Sequence, residues 1–493
     1  MSLKLANPSA IVRAAVTLLS AAFLAAPRAQ PPANFIEKII ASKATFTEAT
    51  STAHADDGRI FVSERGGNIK VIVGDDAPVV YKVNTTIERE QGLLKIQVHP
   101  GFAAKSWIYA YYMTADLNHH NISRIEIDKD NKVVKVDTVI KLPVLENQGR
   151  HNGSGMVFGN DGFLYVSRGQ DELGGAANPA ALWTSQKGKV LRFTEEGQPA
   201  PGNPHYATAG ASEGEKSIWA RGFRNPWTLA VDRVSGRILE GDVGDGTEEL
   251  NDVTHPDAAK DYWYGYGNGG GDGVGAAGGK AIDPIYFHGT GAAGECAIVS
   301  EVPYNAAVVS IWPAEFKNRI YVADYCGGTI RSVPLNNPAT PVNLQTAGNG
   351  TLAFYPNSPV KVGLNLGIDG NLYYVAYGTN KKAYMIAYNG PTGIRDPAVN
   401  SLSVRNFVFR MGQAGDVNFT LTGDISLRDG GKAEFSILGA DGKVRFQQPL
   451  DMVGNTFQAR GFRPMAAGLY VCRLTWNAEG AVRTAHGRLV VLP

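Results

Sequence analysis

Short strands introduced by tight turns recur along residues 50–390 of the chain. Each time, a polar turn such as D-G, S-G or K-N leads into a run in which apolar and polar residues alternate. This alternation is typical of a β-strand with one buried face. Six runs share an apolar anchor position, which is occupied by Ile60, Ile108, Leu164, Ile238, Ile320 and Leu372.

The spacing of these anchors predicts the architecture. They lie 48, 56, 74, 82 and 52 residues apart, and the longer intervals contain Gly- and Pro-rich stretches typical of loop insertions. A repeat of roughly 40–50 residues with strand content indicates a β-propeller, whose sheets stack around a ring to bury both faces. We therefore predict an all-β fold with a six-bladed propeller over residues 31–390. A solenoid is the weaker alternative, because the units lack helical segments.

Two further features of the chain follow from this pattern. The last blade is expected to be completed by an N-terminal strand in FIEKIIAS or ATFTEA. Residues 391–400 read as a linker, and residues 401–493 as a small β-sandwich of short strands broken by G-D and D-G turns. The segments GLYVCRLTW and GRLVVLP resemble the C-terminal immunoglobulin-like sorting domain of exported bacterial proteins. That resemblance implies contact with a secretion machinery.

The N-terminus and the cysteines predict an exported protein. Residues 1–30 combine basic residues, a short apolar run and small residues, which is the pattern of a signal peptide. We therefore expect a secreted, cell-surface or periplasmic protein. An oxidising compartment would permit a disulfide between Cys296 and Cys326 and leave Cys472 free; three unpaired buried thiols are the alternative. No CxxCH or CxxC spacing indicates haem or zinc.

Composition narrows the range of partners. The formal net charge of +1 gives no support for nucleic-acid binding. After the predicted signal peptide, no apolar segment is long enough to span a bilayer, so a transmembrane protein is not expected. The Gly-rich stretch 264–279 is not a phosphate-binding loop, since the following Lys-Ser/Thr and helix are missing. We read it as an insertion at the rim of the propeller.

Two polar turns contain the most informative candidate residues. His151 opens the run HNGSGMVFGNDGFLYVSRG, and Arg224-Asn225 lie in IWARGFRNPWTLAVDRVSG. Both precede an alternating strand, which places an imidazole and a guanidinium at equivalent loops of successive units. A base and a fixed cation beside one pocket suit catalysis. The alternatives are a turn histidine and an arginine that ties loops together.

A third turn, GDVGDGTEELND, is rich in oxygen ligands. It contains Asp242, Asp245, Glu248 and Glu249. Calcium accepts both carboxylates and backbone carbonyls, so this turn is a candidate metal site, although it lacks the twelve-residue spacing of an EF-hand. A solvated acidic loop is the alternative.

Several motifs in a fixed order identify a family resemblance. They are EQGLLKIQVHPGF, HNGSGMVFGNDGFLYVSRG, GKVLRF, ARGFRNPW, GDVGDGTEELNDV and the segments around Cys296 and Cys326. In this order, residues 35–390 resemble the glucose/sorbosone dehydrogenase family of soluble sugar dehydrogenases, which use pyrroloquinoline quinone. The resemblance implies oxidation of an aldose at the anomeric carbon, with hydride transfer to the quinone and electrons leaving to an external acceptor.

The resemblance also implies roles for individual residues. His151 would be the general base that takes the proton of the anomeric hydroxyl, with Arg224 and Asn225 against the quinone carbonyl. Cofactor contacts would come from Asn152, Lys361 and one residue of the pair Glu90-Gln91, for which Gln91 is selected; a surface-polar pair before a strand is the alternative. Carbonyls at Gly244 and Asp245 would hold the calcium ion of the cofactor. The remaining metal candidates are Glu248, Glu249 and Tyr262.

One departure from the family keeps two other functions open. Several family members have arginines before the final turn, where they bind the carboxylates of the cofactor, but FYPNSPVKVGLNLGIDGNLYY offers only Lys361. A lysine cannot form the bidentate fork of an arginine. Arg150 also stands where some members have an acid. The alternatives are a non-catalytic propeller that binds glycan or protein at the cell surface, and a calcium-dependent hydrolase of the lactonase kind.

Overall fold

The structure is a computed structural model of the chain, which divides into two compact units, Met1–Gly390 and Pro391–Pro493. In the second unit it describes the strands. In the first unit it describes residues 31–145, 150–171, 179–255, 261–262, 281–290, 294–305, 312–346, 350–355, 361–367 and 370–389. The predicted signal peptide (1–30), the Gly-rich stretch (264–279) and the linker (391–400) lie outside the described residues.

The first unit is a six-bladed β-propeller, which confirms the predicted fold class. After β1 (Phe35–Ile40), three four-stranded antiparallel sheets follow one another along the chain. The first blade contains β2 (Ala49–His54), β3 (Ile60–Glu64), β4 (Asn68–Val71) and β5 (Val79–Lys82). The second contains β6 (Leu93–Val98), β7 (Trp107–Met113), β8 (His119–Ile127) and β9 (Val133–Pro143). The third contains β10 (Met156–Phe158), β11 (Leu164–Arg168), β12 (Lys189–Phe193) and β13 (Ile218–Arg221).

One strand from the chain segment of the fifth blade joins the sheet of the fourth blade. The fourth contains β14 (Pro226–Val231), β15 (Ile238–Asp242) and β16 (Thr247–Asp252); β17 (Asp261–Tyr262) and β18 (Ala281–Ile282) then form a separate parallel pair before β19 (Tyr286–Gly289) rejoins the sheet. The fifth contains β20 (Ile298–Tyr304), β21 (Arg319–Asp324), β22 (Ile330–Pro334) and β24 (Leu352–Tyr355). Between the last two, β23 (Val342–Asn343) crosses back and pairs in parallel with β19.

The N-terminal strand closes the ring. The sixth blade contains β25 (Lys361–Leu366), β26 (Leu372–Ala376) and β27 (Ala383–Tyr388), and β1 is its fourth strand, antiparallel to β27. The segment FIEKII therefore completes the last blade, as one of the two predicted segments. Joining the two ends of the ring in one sheet removes the free edges that an open ring would expose.

The repeated anchor residues mark the same place in each blade. Each anchor is the first or second residue of the second strand of its blade: β3, β7, β11, β15, β21 or β26. From there the buried positions pack between adjacent blades. In the described part of the propeller, a hydrophobic cluster fills each of the six interfaces between neighbouring blades. Burial of these faces between blades is the main force that holds the ring together.

Helices make a minor contribution. Two single-turn α-helices, α1 (Phe102–Lys105) and α2 (Glu213–Lys216), and two 3₁₀ turns, Pro179–Ala181 and Ala314–Phe316, lie in connections between strands. Ser212 and Glu215 form a capping box at the start of α2. Among the residues that the structure describes, no helix is long and apolar enough to cross a membrane.

The second unit is described through its strands. One sheet has the order β28-β34-β33-β30-β31, and β29 pairs with β32. Its strands are β28 (Phe407–Arg410), β29 (Val417–Thr420), β30 (Lys432–Leu438), β31 (Val444–Asp451), β32 (Thr456–Ala459), β33 (Gly468–Ala478) and β34 (Ala481–Leu492). The immunoglobulin-like, sorting-domain interpretation of this unit stays a prediction.

Candidate active site

The predicted site residues gather at one end of the ring. The first strands of the blades, β2, β6, β10, β14, β20 and β25, pack side by side around the axis and are called the inner strands here. Because every blade repeats the same chain direction, all six begin at one end, the upper end, and finish at the lower end. Gln91 precedes β6, His151 precedes β10, Arg224 and Asn225 precede β14, and Lys361 begins β25.

The histidine turn is held by one hydrogen bond to the Asn225 side chain and one to the backbone of Gly169. Its Gly153 N–H donates to Asn225 Oδ1 (2.9 Å), and the Gly169 N–H donates to the Asn152 carbonyl (3.1 Å). His151 is buried and has a left-handed backbone, with φ of +48°. A Cβ at Gly169 would lie 1.8 Å from the His151 carbonyl oxygen, so only glycine leaves room for the turn.

The arginine turn is held by a buried carboxylate. Asp242 accepts hydrogen bonds from the Arg224 N–H (2.9 Å) and the Asn225 N–H (2.7 Å). The Arg224 Nη1 donates to the carbonyls of Val243 and Gly244, both at 2.9 Å. Burial raises the pKa of Asp242 to about 7, opposed by the two backbone N–H groups and by the charge of Arg224. Asp242 therefore holds the backbone of the arginine turn, and the carbonyls of Val243 and Gly244 hold the guanidinium.

Glu90 joins the two turns. The sequence pointed to the pair Glu90-Gln91, of which Gln91 was selected as the cofactor contact. The Glu90 carboxyl accepts hydrogen bonds from the backbone of His151 and Asn152 and lies close enough to Arg224 to feel its charge. Burial raises the pKa of Glu90 despite these contacts. Gln91 is buried, and its backbone N–H donates to the Glu88 carbonyl (2.8 Å). The two residues are adjacent in the sequence, and the sequence alone does not show which of their side chains faces the site.

The structure thus brings His151, Asn152, Arg224, Asn225 and Gly244 together at the upper end. The Gln170 N–H adds a further link by donating to the Arg224 carbonyl (2.8 Å). The segments that contain His151, Arg224 and Glu90 come from three different blades and contact one another here. Such a set can accept a proton, stabilise developing negative charge and orient a substrate with several oxygens.

The metal candidates are not assembled into one cluster. Asp245 is exposed, while Glu248 is buried and accepts a hydrogen bond from the Ile298 N–H (3.0 Å). Glu249 is also buried. The Tyr262 hydroxyl donates to the Asp252 carbonyl (2.6 Å). Within the described ranges, no group of three or more His, Cys, Asp or Glu side chains is arranged to hold a metal ion.

Lys361 lies apart from the histidine and arginine turns in its contacts. It is fully buried, its Nζ donates to the Gly328 carbonyl (2.9 Å), and the ammonium lies 4.1 Å from the ring centroid of Tyr355. Gly328 belongs to the β21–β22 turn of the fifth blade, so this lysine ties the sixth blade to the fifth. A lysine with a carbonyl and an aromatic face as neighbours is well suited to that structural role.

A disulfide closes the upper end of the fifth blade. Cys296 and Cys326 are bonded, with Cα atoms 5.4 Å apart, which confirms the predicted pair. Asp324 accepts from the N–H groups of Cys296 and Ala297 (both 2.9 Å) and of Gly327 (2.8 Å), so one carboxylate holds both bonded segments.

We expect the double variant C296S/C326S to lose about 3 kcal/mol of unfolding free energy, because the bond restricts a loop of 30 residues in the unfolded chain. Urea denaturation of the oxidised protein and the variant measures the difference. C472S is the matched control and should unfold like the parent protein. Equal stability of the double variant and the parent would contradict this account.

Comparisons with known proteins agree with the predicted resemblance. The family model for Glucose / Sorbosone dehydrogenase matches residues 46–269. An aldose sugar dehydrogenase of Escherichia coli is 25% identical over 209 residues, which are 40% of this chain and 53% of that protein. The chain thus spans about half the length of this curated relative. The mouse Hedgehog-interacting protein is 25% identical over 222 residues, covering 38% of this chain and 30% of its own.

A solved structure supports the fold. The PQQ-bound form of an aldose sugar dehydrogenase from Streptomyces coelicolor superposes with a TM-score of 0.54 at 22% identity, covering 73% of this chain and 100% of that chain. At this level of identity the similarity establishes the propeller fold.

Proposed function

We propose, from the match of residues 46–269 to the Glucose / Sorbosone dehydrogenase family model, that the protein is a quinone-dependent oxidoreductase that oxidises an aldose at its anomeric carbon. One observation carries the proposal. Asn225 of the arginine turn accepts a hydrogen bond from the Gly153 N–H of the histidine turn, so the two turns that contain Arg224 and His151 are held together. General-base chemistry and charge stabilisation can then act on one bound molecule.

The residues at the upper end suit pyrroloquinoline quinone in part. Arg224 offers a fixed cation, and the buried side chains of Gln91, Asn152 and Asn225 offer amides to the oxygen-rich edge of a planar cofactor. When bound, the quinone supplies the acceptor for hydride. Lys361 lies outside this set in its recorded contacts, since its ammonium donates to Gly328 of the fifth blade. Among the described residues, no group of three or more His, Cys, Asp or Glu side chains could hold a calcium ion.

The protein's own groups would act as follows. His151 would accept the proton of the anomeric hydroxyl, since an imidazole is an effective base near neutral pH. Arg224 is fixed by Asp242 and by two carbonyls, so its charge needs no reorganisation as negative charge develops nearby. Glu90 would keep the histidine turn in register through its bonds to His151 and Asn152.

Reconstitution tests the proposal. Purified protein is titrated with pyrroloquinoline quinone, with and without Ca²⁺, and then assayed for reduction of an artificial dye with a panel of aldoses. We expect binding at micromolar cofactor and dye reduction with at least one aldose. No binding at that concentration would overturn the dehydrogenase proposal. Equal affinity for the quinone with and without Ca²⁺ would show that the quinone is the cofactor and that calcium is not needed to bind it.

Two observations favour a second candidate, a non-catalytic propeller that binds glycan or protein. The ammonium of Lys361, the cation expected to bind the carboxylates of the cofactor, donates to Gly328, and a Hedgehog-interacting protein is among the relatives of this chain. Under this alternative, the reconstituted protein would reduce no dye with any aldose, and a glycan array or cell-surface pull-down would show saturable binding.

We also propose that the protein is exported, on the basis of the signal-peptide pattern in residues 1–30. Fractionation of the source cells should place the protein outside the cytoplasm, with an N-terminus that begins near residue 31. A cytoplasmic protein with residue 1 retained would overturn this proposal.

A further inference from the structure

A cavity of about 230 Å³ lies on the axis of the propeller, away from the histidine and arginine turns. Its wall is built from the second halves of the inner strands and from the residues that follow two of them. It therefore belongs to the lower end of the ring, whereas the candidate active site lies where the same strands begin. The polar residues of its wall include Thr52, Lys95, Gln97, Arg233, Ser300 and Glu301.

Three charged groups of this axial cavity are Lys95, Arg233 and Glu301. Burial lowers the pKa of Lys95, and the charge of Glu301 opposes this shift. In the part of the chain that the structure describes, no carboxylate oxygen lies within 4.0 Å of the amino group of Lys95 or the guanidinium of Arg233. Glu301 is 4% exposed, whereas Lys95 is half-buried and Arg233 is exposed. The Thr228 side chain interacts with the Glu301 carboxyl, but neither carboxyl oxygen has a hydrogen bond of regular geometry among the described residues. A buried polar group with incomplete hydrogen bonding is costly, so such a carboxyl normally contacts a ligand or water.

Asp232 differs from Glu301, because its oxygens already accept several hydrogen bonds. Its carboxylate accepts from the Asn305 side chain (3.1 Å), the Ser235 hydroxyl (2.6 Å) and the Val234 N–H (3.1 Å). The groups of the wall that can bind a ligand are therefore the two cations, Lys95 and Arg233, and the Glu301 carboxyl. Burial raises the pKa of Glu301 to about 8, opposed by Lys95 and Thr228, so at neutral pH this carboxyl is mostly protonated and can donate a hydrogen bond.

The wall also defines the rest of the ligand. Amides and hydroxyls from Gln97, Asn365 and Ser300 alternate with the apolar side chains of Val157 and Val302. Such a surface suits a molecule with hydroxyl groups on a short carbon chain, since each hydroxyl both donates and accepts. At roughly 30 Å³ per water molecule, the space corresponds to a molecule of about six to ten non-hydrogen atoms.

We propose that the axial cavity binds a small hydroxylated carboxylate anion, with its carboxylate held by Lys95 and Arg233 and a hydroxyl facing Glu301. This site is separate from the proposed dehydrogenase site and does not depend on it. Lys95 and Glu301 face the same space from β6 and β20 without forming an ion pair, so a ligand placed between them can contact both. The apolar residues of the wall would contact the carbon chain.

Calorimetric titration of the full-length protein without cofactor tests the proposal. The probes are D-glycerate and D-threonate, and their neutral counterparts are glycerol and D-threitol. We expect one site with at least tenfold tighter binding of an acid than of its neutral counterpart. Equal binding of an acid and its neutral counterpart would overturn the proposal. So would the absence of binding of either acid at 10 mM, roughly the weak end of specific affinity, in which case the cavity would hold water only.

Variants assign the site to Lys95 and separate it from the upper end. We expect K95M to weaken binding at least tenfold and K95R to remain within a few-fold of the parent, while the exposed lysine variant K132M should change nothing. K95R guards against a K95M protein that fails to fold. H151N should bind the acid normally, and loss of binding in H151N would place the ligand at the other end and overturn the proposal.

Discussion

Replacing His151 with asparagine is expected to lower the turnover of sugar by about 10³-fold, which is within the usual contribution of a general base. Asparagine tolerates the left-handed backbone that His151 adopts (φ of +48°), so the turn should survive. It has no nitrogen that titrates near neutral pH, so the proton acceptor is lost. The affinity for the quinone should change by less than about threefold, since the turn is held by backbone contacts that do not involve the ring.

The measurement is dye reduction at saturating sugar, paired with a fluorescence titration of the cofactor. H119N is the matched control, because His119 is exposed on β8 of the second blade. It should leave both quantities unchanged. Equal losses of turnover and cofactor affinity in H151N would contradict a base and would indicate that the imidazole binds the cofactor. An alanine variant is a poorer test, since it also changes the backbone preference at this position.

The fold could be predicted from the sequence because its signals are local. Each blade repeats a turn and an alternating strand, so anchors such as Leu164 and Leu372 fall at the same point of the second strand. Closure by FIEKII could be predicted because six complete blades need one more strand. The parallel pairing of β23 with β19 could not be predicted. The paired residues lie 56 positions apart, three strands of the fifth blade separate them, and a two-residue strand shows no periodicity.

The site could be predicted in part, for a related reason. His151 and Arg224 stand at equivalent points of successive repeats, and the repeat alone places them at the same end of the ring. Glu90 could not be preferred to Gln91 from the sequence, because its contacts reach from the second blade to the third, which no local pattern records. The GDVGDGTEELND run was read as a metal site because of its oxygens. In the structure, Asp242 uses both of its oxygens on backbone N–H groups, which composition cannot reveal.

The two hydrogen bonds that Asp242 accepts predict a second large effect, on stability. In D242N we expect a loss of about 3 kcal/mol of unfolding free energy, in line with the cost of leaving a buried donor unsatisfied beside a lost charged hydrogen bond. Asp242 is 1% exposed, and its two oxygens accept from Arg224 and Asn225. An amide has one acceptor oxygen, so its NH₂ group would face one of these N–H donors.

The same change should lower turnover about 10²-fold, because a shift of the arginine turn moves both the Arg224 guanidinium and the Asn225 amide that holds Gly153. Stability and turnover are measured at pH 8, above the raised pKa of about 7, where the Asp242 carboxylate is ionised. D128N is the matched control: Asp128 also accepts two backbone N–H groups, from Asp130 (2.9 Å) and Lys132 (2.8 Å), in the β8–β9 turn. A D242N protein as active as D128N would mean that the arginine turn is held by its other contacts, and that the carboxylate is not what positions Arg224.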